Sequence, residues 1–256
     1  MSAEAGPLDL SGQGAVVVGA GGGIGRAAAL LLAQRQASVL CLDRDATAAD
    51  ATVGAIAEAG GTARAQSADV TDPASLTAAF AAAVASFGQV HAVINCAGIQ
   101  GPLGRRSHEV SLEDFDAVYA INLRGALAVS QMALPHMLQH GYGRIAHVAS
   151  IAGKEGNPNM IGYSSTKAGL IGMVKAQGKE YAEDGITINA LAPAVIRTPF
   201  LDTQPPEVIT YMTDRIPMKR TGTVREAAQL LAWMVSPACS FTTGFTFDLS
   251  GGRATY

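Results

Sequence analysis

The stretch Val16-Val17-Val18-Gly19-Ala20-Gly21-Gly22-Gly23-Ile24-Gly25-Arg26 constrains the fold more than any other. Ala15–Val18 reads as a buried strand, the glycines as a tight turn, and the alanine- and leucine-rich Ile24–Gln34 as a helix opening directly behind it. Without a Cβ, glycine lets backbone turn sharply and come close to a pyrophosphate. The free N–H groups and positive dipole end of the helix then face that anion. Gly19, Gly23, Ile24 and Gly25 are the candidate contacts. Asp43 closes the next β-rich run, Ser38–Leu42, about 20 residues beyond the glycines. A carboxylate there accepts hydrogen bonds from a ribose 2′-OH and repels a 2′-phosphate, which favours NAD over NADP. Arg44 beside it could instead accommodate that phosphate, cover an adenine ring or rest in solvent.

Short β-branched runs alternate with longer periodic segments. Strands are expected at Ala15–Val18, Ser38–Leu42, Val90–Ile94, Arg144–Ala149 and Ile186–Leu191. Helices are expected at Ile24–Gln34, at Ala74–Ser86 behind the cap and proline of Thr71-Asp72-Pro73, and at Ile161–Ala182. Ser111, followed by Glu113 and Asp114, can cap a long helix to His140, with a kink at Pro135. Ser107–Val110 and Thr198–Pro217 read as irregular. Repeated βαβ units imply an α/β fold: a single Rossmann-type doubly wound domain over residues 1–256, with a mostly parallel sheet and helices on both faces.

The 256 residues are 48% hydrophobic and 15% charged, enough apolar material for a large core. A net charge of −3 gives no electrostatic case for nucleic acid or anionic lipid. Cys41, Cys96 and Cys239 form no CxxC pair and the histidines show no ligand spacing, so neither disulfide framework nor metal is expected. No signal-peptide pattern opens the chain, and Ala27–Ala33 is too short to span a bilayer, so a cytoplasmic protein is expected.

Tyr163 and Lys167 lie four residues apart, hence on one face of a helix. Ser150 precedes Tyr163 by thirteen residues and ends a strand, where open α/β sheets bind ligands. With these residues the chain resembles the short-chain dehydrogenase/reductase family from Gly12 to Gly252. The resemblance pairs the family's glycine motif with Gly19, Gly23, Ile24 and Gly25, and its adenine-contacting acid with Asp69, followed by Val70. It pairs the Asn-x-Ala-Gly motif with Asn95, Ala97 and Gly98, and the nicotinamide loop with Asn189–Thr198, implying cofactor contacts from Pro193, Ile196 and Thr198. It implies the catalytic set Asn122, Ser150, Tyr163 and Lys167. Val18, Cys96 and Ala194 depart from residues common in the family, without removing a catalytic group.

The residue types then suggest roles. Tyr163 is expected as general acid/base, its phenolate favoured by the Lys167 ammonium and a positive nicotinamide. Ser150 would hold the substrate oxygen, Lys167 also the nicotinamide ribose, and Asn122 a proton-relaying water. His147 reads as a satisfied core residue, and His91, His108, His136 and His140 as structural or solvated.

The implied activity is hydride exchange between NAD and a secondary alcohol or ketone. A substrate lid is expected over residues 198–220, and a second variable region at Ile99–Val110. The polar run Lys154–Asn159, with Thr198–Asp202 and Tyr211-Met212, resembles dehydrogenases of deoxy sugar acids such as 2-keto-3-deoxy-L-rhamnonate or -fuconate. Lys154 or an arginine would meet the carboxylate. A carrier-protein reductase is the alternative, although Met137–Gly141 lacks a basic docking patch. A non-catalytic NAD-binding regulator is the other, although Tyr163 and Lys167 are both present. The family implies a homotetramer or homodimer built on Glu113–His140, Ile161–Ala182 and Phe241–Leu249, with Gly169, Gly172 and Ala176 permitting close helix approach.

Overall fold

The computed structural model describes residues 8–198, 201 and 206–256. Seven parallel strands form one sheet: β1 (Gly14–Val18), β2 (Ser38–Asp43), β3 (Thr62–Ser67), β4 (Ala92–Asn95), β5 (Gly143–Val148), β6 (Ile186–Pro193) and, after two short strands, β9 (Thr246–Leu249). The order is β3-β2-β1-β4-β5-β6-β9, so chain direction across the sheet reverses between β1 and β4. That reversal opens a crevice above the strand ends. β7 (Ile196–Arg197) and β8 (Gly222–Thr223) pair separately. This is the doubly wound α/β domain expected from the alternation.

The inner strands of the sheet are buried on both sides, and alternate strand residues serve opposite layers. Val16, Val18, Val93 and Ile145 pack with α3 (Pro73–Phe87), α5 (Gly125–His140) and α7 (Ile161–Glu180). Ala15, Val17, Ile94 and Leu191 pack with α1 (Gly23–Gln34), α2 (Ala46–Glu58) and, on the same side, α9 (Val224–Met234). Three of these elements are additional to those expected. α2 is capped by Asp45, whose carboxylate accepts from the Ala48 N–H at 3.1 Å. β3, Thr62-Ala63-Arg64-Ala65-Gln66-Ser67, is a polar edge strand without a hydrophobic run. α9 starts with a capping box between Thr223 and Glu226.

Two expectations change. The segment from Ser111 is helical to His140, but in three pieces: α4 (Leu112–Tyr119), a π-helical turn at Ala120–Arg124, then α5. The irregular turn thus falls at Asn122, while Pro135 lies inside α5. Thr198–Pro217 contains a helix, α8 (Pro206–Asp214), which the proline-rich composition concealed. The short α6 (Ala152–Glu155) follows β5 directly.

Candidate active site

The glycine turn lies between β1 and α1, as the sequence required. Gly19 has φ 77° and Gly23 φ 51°, conformations costly for a side chain. A Cβ on Gly25 would collide with the Gly19 carbonyl oxygen, so helix and turn touch only because that atom is missing. No acidic residue occupies the first turn of α1, leaving its N–H groups open to an anion.

Around this turn runs a cleft in two parts. One, of about 230 Å³, is lined by Asp43, Arg44, Asp69, Val70, Ala97 and Gly98 among others. The second, of about 370 Å³, is lined by Gly19, Gly23, Ile24, Gly25, Gly98, Ser150, Tyr163, Lys167, Pro193, Ile196 and Thr198 among others. Of the expected cofactor residues, only Asn95 lies behind these walls, 3% exposed. Its Oδ1 accepts from the Ala97 N–H at 3.1 Å and so fixes the loop that does line the cleft.

Asp43 accepts from the Gly21 N–H at 2.9 Å through Oδ2 and from the Asp45 N–H at 3.1 Å through Oδ1. Each oxygen keeps a lone pair for a ribose hydroxyl. Asp69 uses Oδ1 for the Thr71 N–H and hydroxyl, at 2.8 and 2.7 Å; these bonds hold its carboxyl below the ordinary value. The residues therefore fit a dinucleotide: a glycine cradle for its phosphates and carboxylates for its hydroxyl and amino groups.

The four catalytic candidates converge. Ser150, 7% exposed, follows β5, and its Oγ accepts from the Ala152 N–H at 3.1 Å. Asn122 is fixed by the π turn: its Oδ1 accepts from the Ile99 N–H at 2.8 Å, while its Nδ2 donates to the Ile99 carbonyl at 2.9 Å and Thr166 Oγ1 at 3.2 Å. π turns recur where a helix must re-aim a functional side chain. Lys167 Nζ donates to the Val148 carbonyl at 2.7 Å and lies 5.7 Å from the Tyr163 ring centre.

Burial dominates the electrostatics. It pushes Lys167 down to about 8, and the neighbouring Cys96 thiol up to about 12. It also raises the Tyr163 phenol above its ordinary value, against a Ser150 hydrogen bond that favours phenolate. Lys167 keeps its positive charge while donating to Val148, and at Tyr163 the desolvation of the phenol is the larger effect.

A further cavity of about 420 Å³ shares Ser150 and Tyr163 with the cleft. Leu103, Ile151, Met160, Leu201 and Met212 supply apolar walls; Gln100, Asn157, Arg215 and Arg253 add polar groups. Lys154 is not among them. Its Nζ is ion-paired with Asp248 Oδ2 at 2.7 Å, so of the two carboxylate partners expected, Lys154 or an arginine, the cavity wall offers the arginines. Asn159 is exposed with φ 62°, a turn residue. Pro199, Phe200 and Asp202 lie outside the described residues. Sequence reasoning missed the Val148 carbonyl, which carries no residue signature, and Gln100, Arg215 and Arg253, which come from three separate connections.

A cleft whose residues fit a dinucleotide, bordered by a serine, a tyrosine and a lysine, fits an oxidoreductase acting on CH–OH groups, the class that the relatives below show. A family model described as enoyl-(acyl carrier protein) reductase matches residues 19–254, and the chain belongs to the short-chain dehydrogenase/reductase family. It is 41% identical to 2-dehydro-3-deoxy-L-rhamnonate dehydrogenase (NAD(+)) of Sphingomonas sp. (strain SKA58), over 96% of this chain and 97% of that one. It is 37% identical to cyclohexanol dehydrogenase of Acinetobacter sp. (strain SE19), over 93% of each chain. A solved structure of a provisionally assigned gluconate dehydrogenase from Agrobacterium tumefaciens superposes with a TM-score of 0.91 at 28% identity, covering 96% of this chain and 98% of that one.

Proposed function

We propose that the protein oxidises a secondary hydroxyl of a small polar acid, of the deoxy sugar acid kind, with NAD as the hydride acceptor. The observation that carries this reading is that Ser150 and Tyr163 border both the dinucleotide groove and the second cavity. A carbinol held there is within reach of both. A bound nicotinamide dinucleotide supplies hydride exchange at its ring. Ser150 donates to the substrate oxygen and steadies charge developing on it. Tyr163 takes the hydroxyl proton in oxidation and returns it in reduction. Asn122, locked to Ile99 and Thr166, keeps the π turn in place beside Tyr163 and Lys167 and orders a relay water. Lys167 anchors the nicotinamide ribose. Asp43 selects NAD by excluding a 2′-phosphate, and Arg44 covers the adenine side.

Support for the acid comes from the Sphingomonas relative's name and from Asn157, Arg215 and Arg253 in the cavity wall. The segment 198–220, with Thr198, Leu201 and Met212 on the cavity, serves as a lid. A cytoplasmic location is proposed as well; among the described residues no helix is long and apolar enough to cross a membrane. The protein is further proposed to work as a homotetramer. Tyr119 and Leu127 are exposed on the α4–α5 segment, and Phe241 and Phe245 beside the edge strand β9. Gly169, however, serves packing within the chain, where a Cβ would press on Leu123, so only Gly172 and Ala176 remain open.

The test is a comparison of kcat/KM for deoxy sugar acids, β-hydroxyacyl thioesters and apolar alcohols, each with NAD and NADP. The acids with NAD are expected to lead. A preference for thioesters would move the protein to the carrier-protein reductases, of which a Thermotoga maritima member is 35% identical. No turnover of any alcohol would leave an NAD-binding regulator. Light scattering on the same preparation is expected to report a tetramer.

A further inference from the structure

Arg253 is the one residue of the cavity wall that comes from the C-terminal tail. β9 is followed by Gly251 and Gly252, with φ 60° and 90°, which turn the chain back over the strand ends. The turn is pinned around Arg253: the Ala254 N–H donates to Ser250 Oγ at 3.0 Å, and the Arg253 N–H to the Ser250 carbonyl at 3.2 Å. The Tyr256 hydroxyl donates to the Lys154 carbonyl at 2.8 Å, fastening the tail to α6.

The guanidinium is held as firmly. Nε and Nη2 donate to Glu155 Oε2 at 3.0 and 2.7 Å, and Nη2 also reaches Asn157 Oδ1 at 3.3 Å. Its side chain is only 10% exposed, yet Nη1 makes no hydrogen bond among the described residues. The residue lines the cavity, so the Nη1 hydrogens are left to water or to an acceptor that enters. Most of the other walls are apolar, so the acceptor has to come from what enters. A neutral hydrocarbon alcohol would leave the donor to water; a carboxylate would pair it.

We propose that Arg253 binds the substrate's carboxylate and is the residue that selects a hydroxy acid over a neutral alcohol. Glu155 and Asn157 are positioning residues, fixing the fork before substrate arrives, so little rotamer entropy is lost on binding. The inference rests on the acid reading given above. Arg253, Ser150 and Tyr163 line the same cavity, so a carboxylate bound by Arg253 holds its substrate in the space that Ser150 and Tyr163 border.

The experiment compares 2-keto-3-deoxy-L-rhamnonate with its primary amide in wild type and Arg253→Met. Wild type is expected to favour the acid by at least about 30-fold in kcat/KM, the scale of a charge-assisted hydrogen bond. Arg253→Met should erase that preference through KM, the acid losing far more than the amide, while circular dichroism and NADH binding report that the variant folds. Calorimetry on the Tyr163→Phe background, with and without Arg253→Met, should show the same loss in acid Kd. If wild type prefers the acid and Arg253→Met keeps the preference, Arg253 is not the anchor, although the acid reading stands. If wild type turns over acid and amide alike, the acid reading fails and this inference with it. Should Arg253→Met not turn over the amide, Arg253→Gln, which retains a donor toward Glu155, takes its place with the same two outcomes.

Discussion

The proposed dinucleotide groove and the proposed substrate cavity meet at Ser150 and Tyr163, but they are constructed differently. The groove is made of short segments at the ends of adjacent strands: the turn after β1, Asp43 closing β2, Ala97 and Gly98 after β4, Pro193 closing β6. Apart from the carboxylates of Asp43 and Asp69, its decisive features are backbone features, a positive φ, a missing Cβ, an open helix start. The cavity is made of side chains from segments far apart in the chain, such as Leu103, Asn157, Met212 and Arg253. A groove built from backbone tolerates exchange of most neighbours; a cavity built from side chains changes ligand with each one. Chemistry and specificity can therefore be perturbed separately.

The largest effect should come at the junction. Tyr163→Phe removes the ionisable hydroxyl and keeps the ring that packs near Lys167. A fall in kcat of more than about a hundredfold is expected, while NADH affinity by fluorescence titration stays at the wild-type value. Near-normal turnover would remove Tyr163 from the chemistry. A parallel loss of NADH binding would mean that junction and groove are not separable.

A smaller effect is expected within the groove. Asp43→Ala should lower kcat/KM for NAD and relieve the repulsion of NADP, moving the NAD/NADP ratio by about tenfold or more, the scale of one or two hydrogen bonds to a charged group. KM for the alcohol should not move. Because Asp43 also accepts from Gly21 and Asp45, a purely structural role predicts a different pattern: equal losses with both cofactors. Steady-state kinetics with each cofactor decides between them.

The same division explains what the sequence made legible. Strand–turn–helix spacing, Asp43, and the Tyr163 and Lys167 pair are local patterns, and the structure brings them to one cleft. β3 escaped because an edge strand needs no continuous apolar run, as Arg64 and Gln66 illustrate. α9 could have been read from Thr223 and Glu226, a capping box in plain sequence. Arg253 could not: its value depends on Glu155, 98 positions away, and on a glycine turn whose direction only the fold reveals. Lys154 could not be set aside in favour of an arginine for the same reason, since its partner Asp248 is 94 positions distant.

The smallest effect concerns how the groove is braced from beneath. His147 is fully buried in β5. Asn95 Nδ2 faces its Nδ1 at 3.2 Å, and Asn95 Oδ1 is committed to the Ala97 N–H. The amide therefore donates, Nδ1 accepts, and the imidazole proton belongs on Nε2, which meets Ser130 Oγ at 3.0 Å. Protonating Nδ1 would set two donors against each other in a dry interior. Burial foremost, then the charge of Lys167, pushes His147 down to about 3. An unfolded chain binds that proton near pH 6.5. Between these values the unfolded state holds more protons, so folding stability is present above about pH 6.5 and is lost as pH falls toward 3, at up to about 1.4 kcal/mol per pH unit. His147→Gln can keep a hydrogen bond to Asn95 without titrating. Denaturant unfolding from pH 7.5 to 4.5 is expected to show a shallower acid loss in the variant than in wild type, with turnover at pH 7.5 changed only a few fold. Identical pH slopes would show that His147 is not buried as a neutral base, and the bracing of the Ala97 loop would then have to come from Asn95 alone.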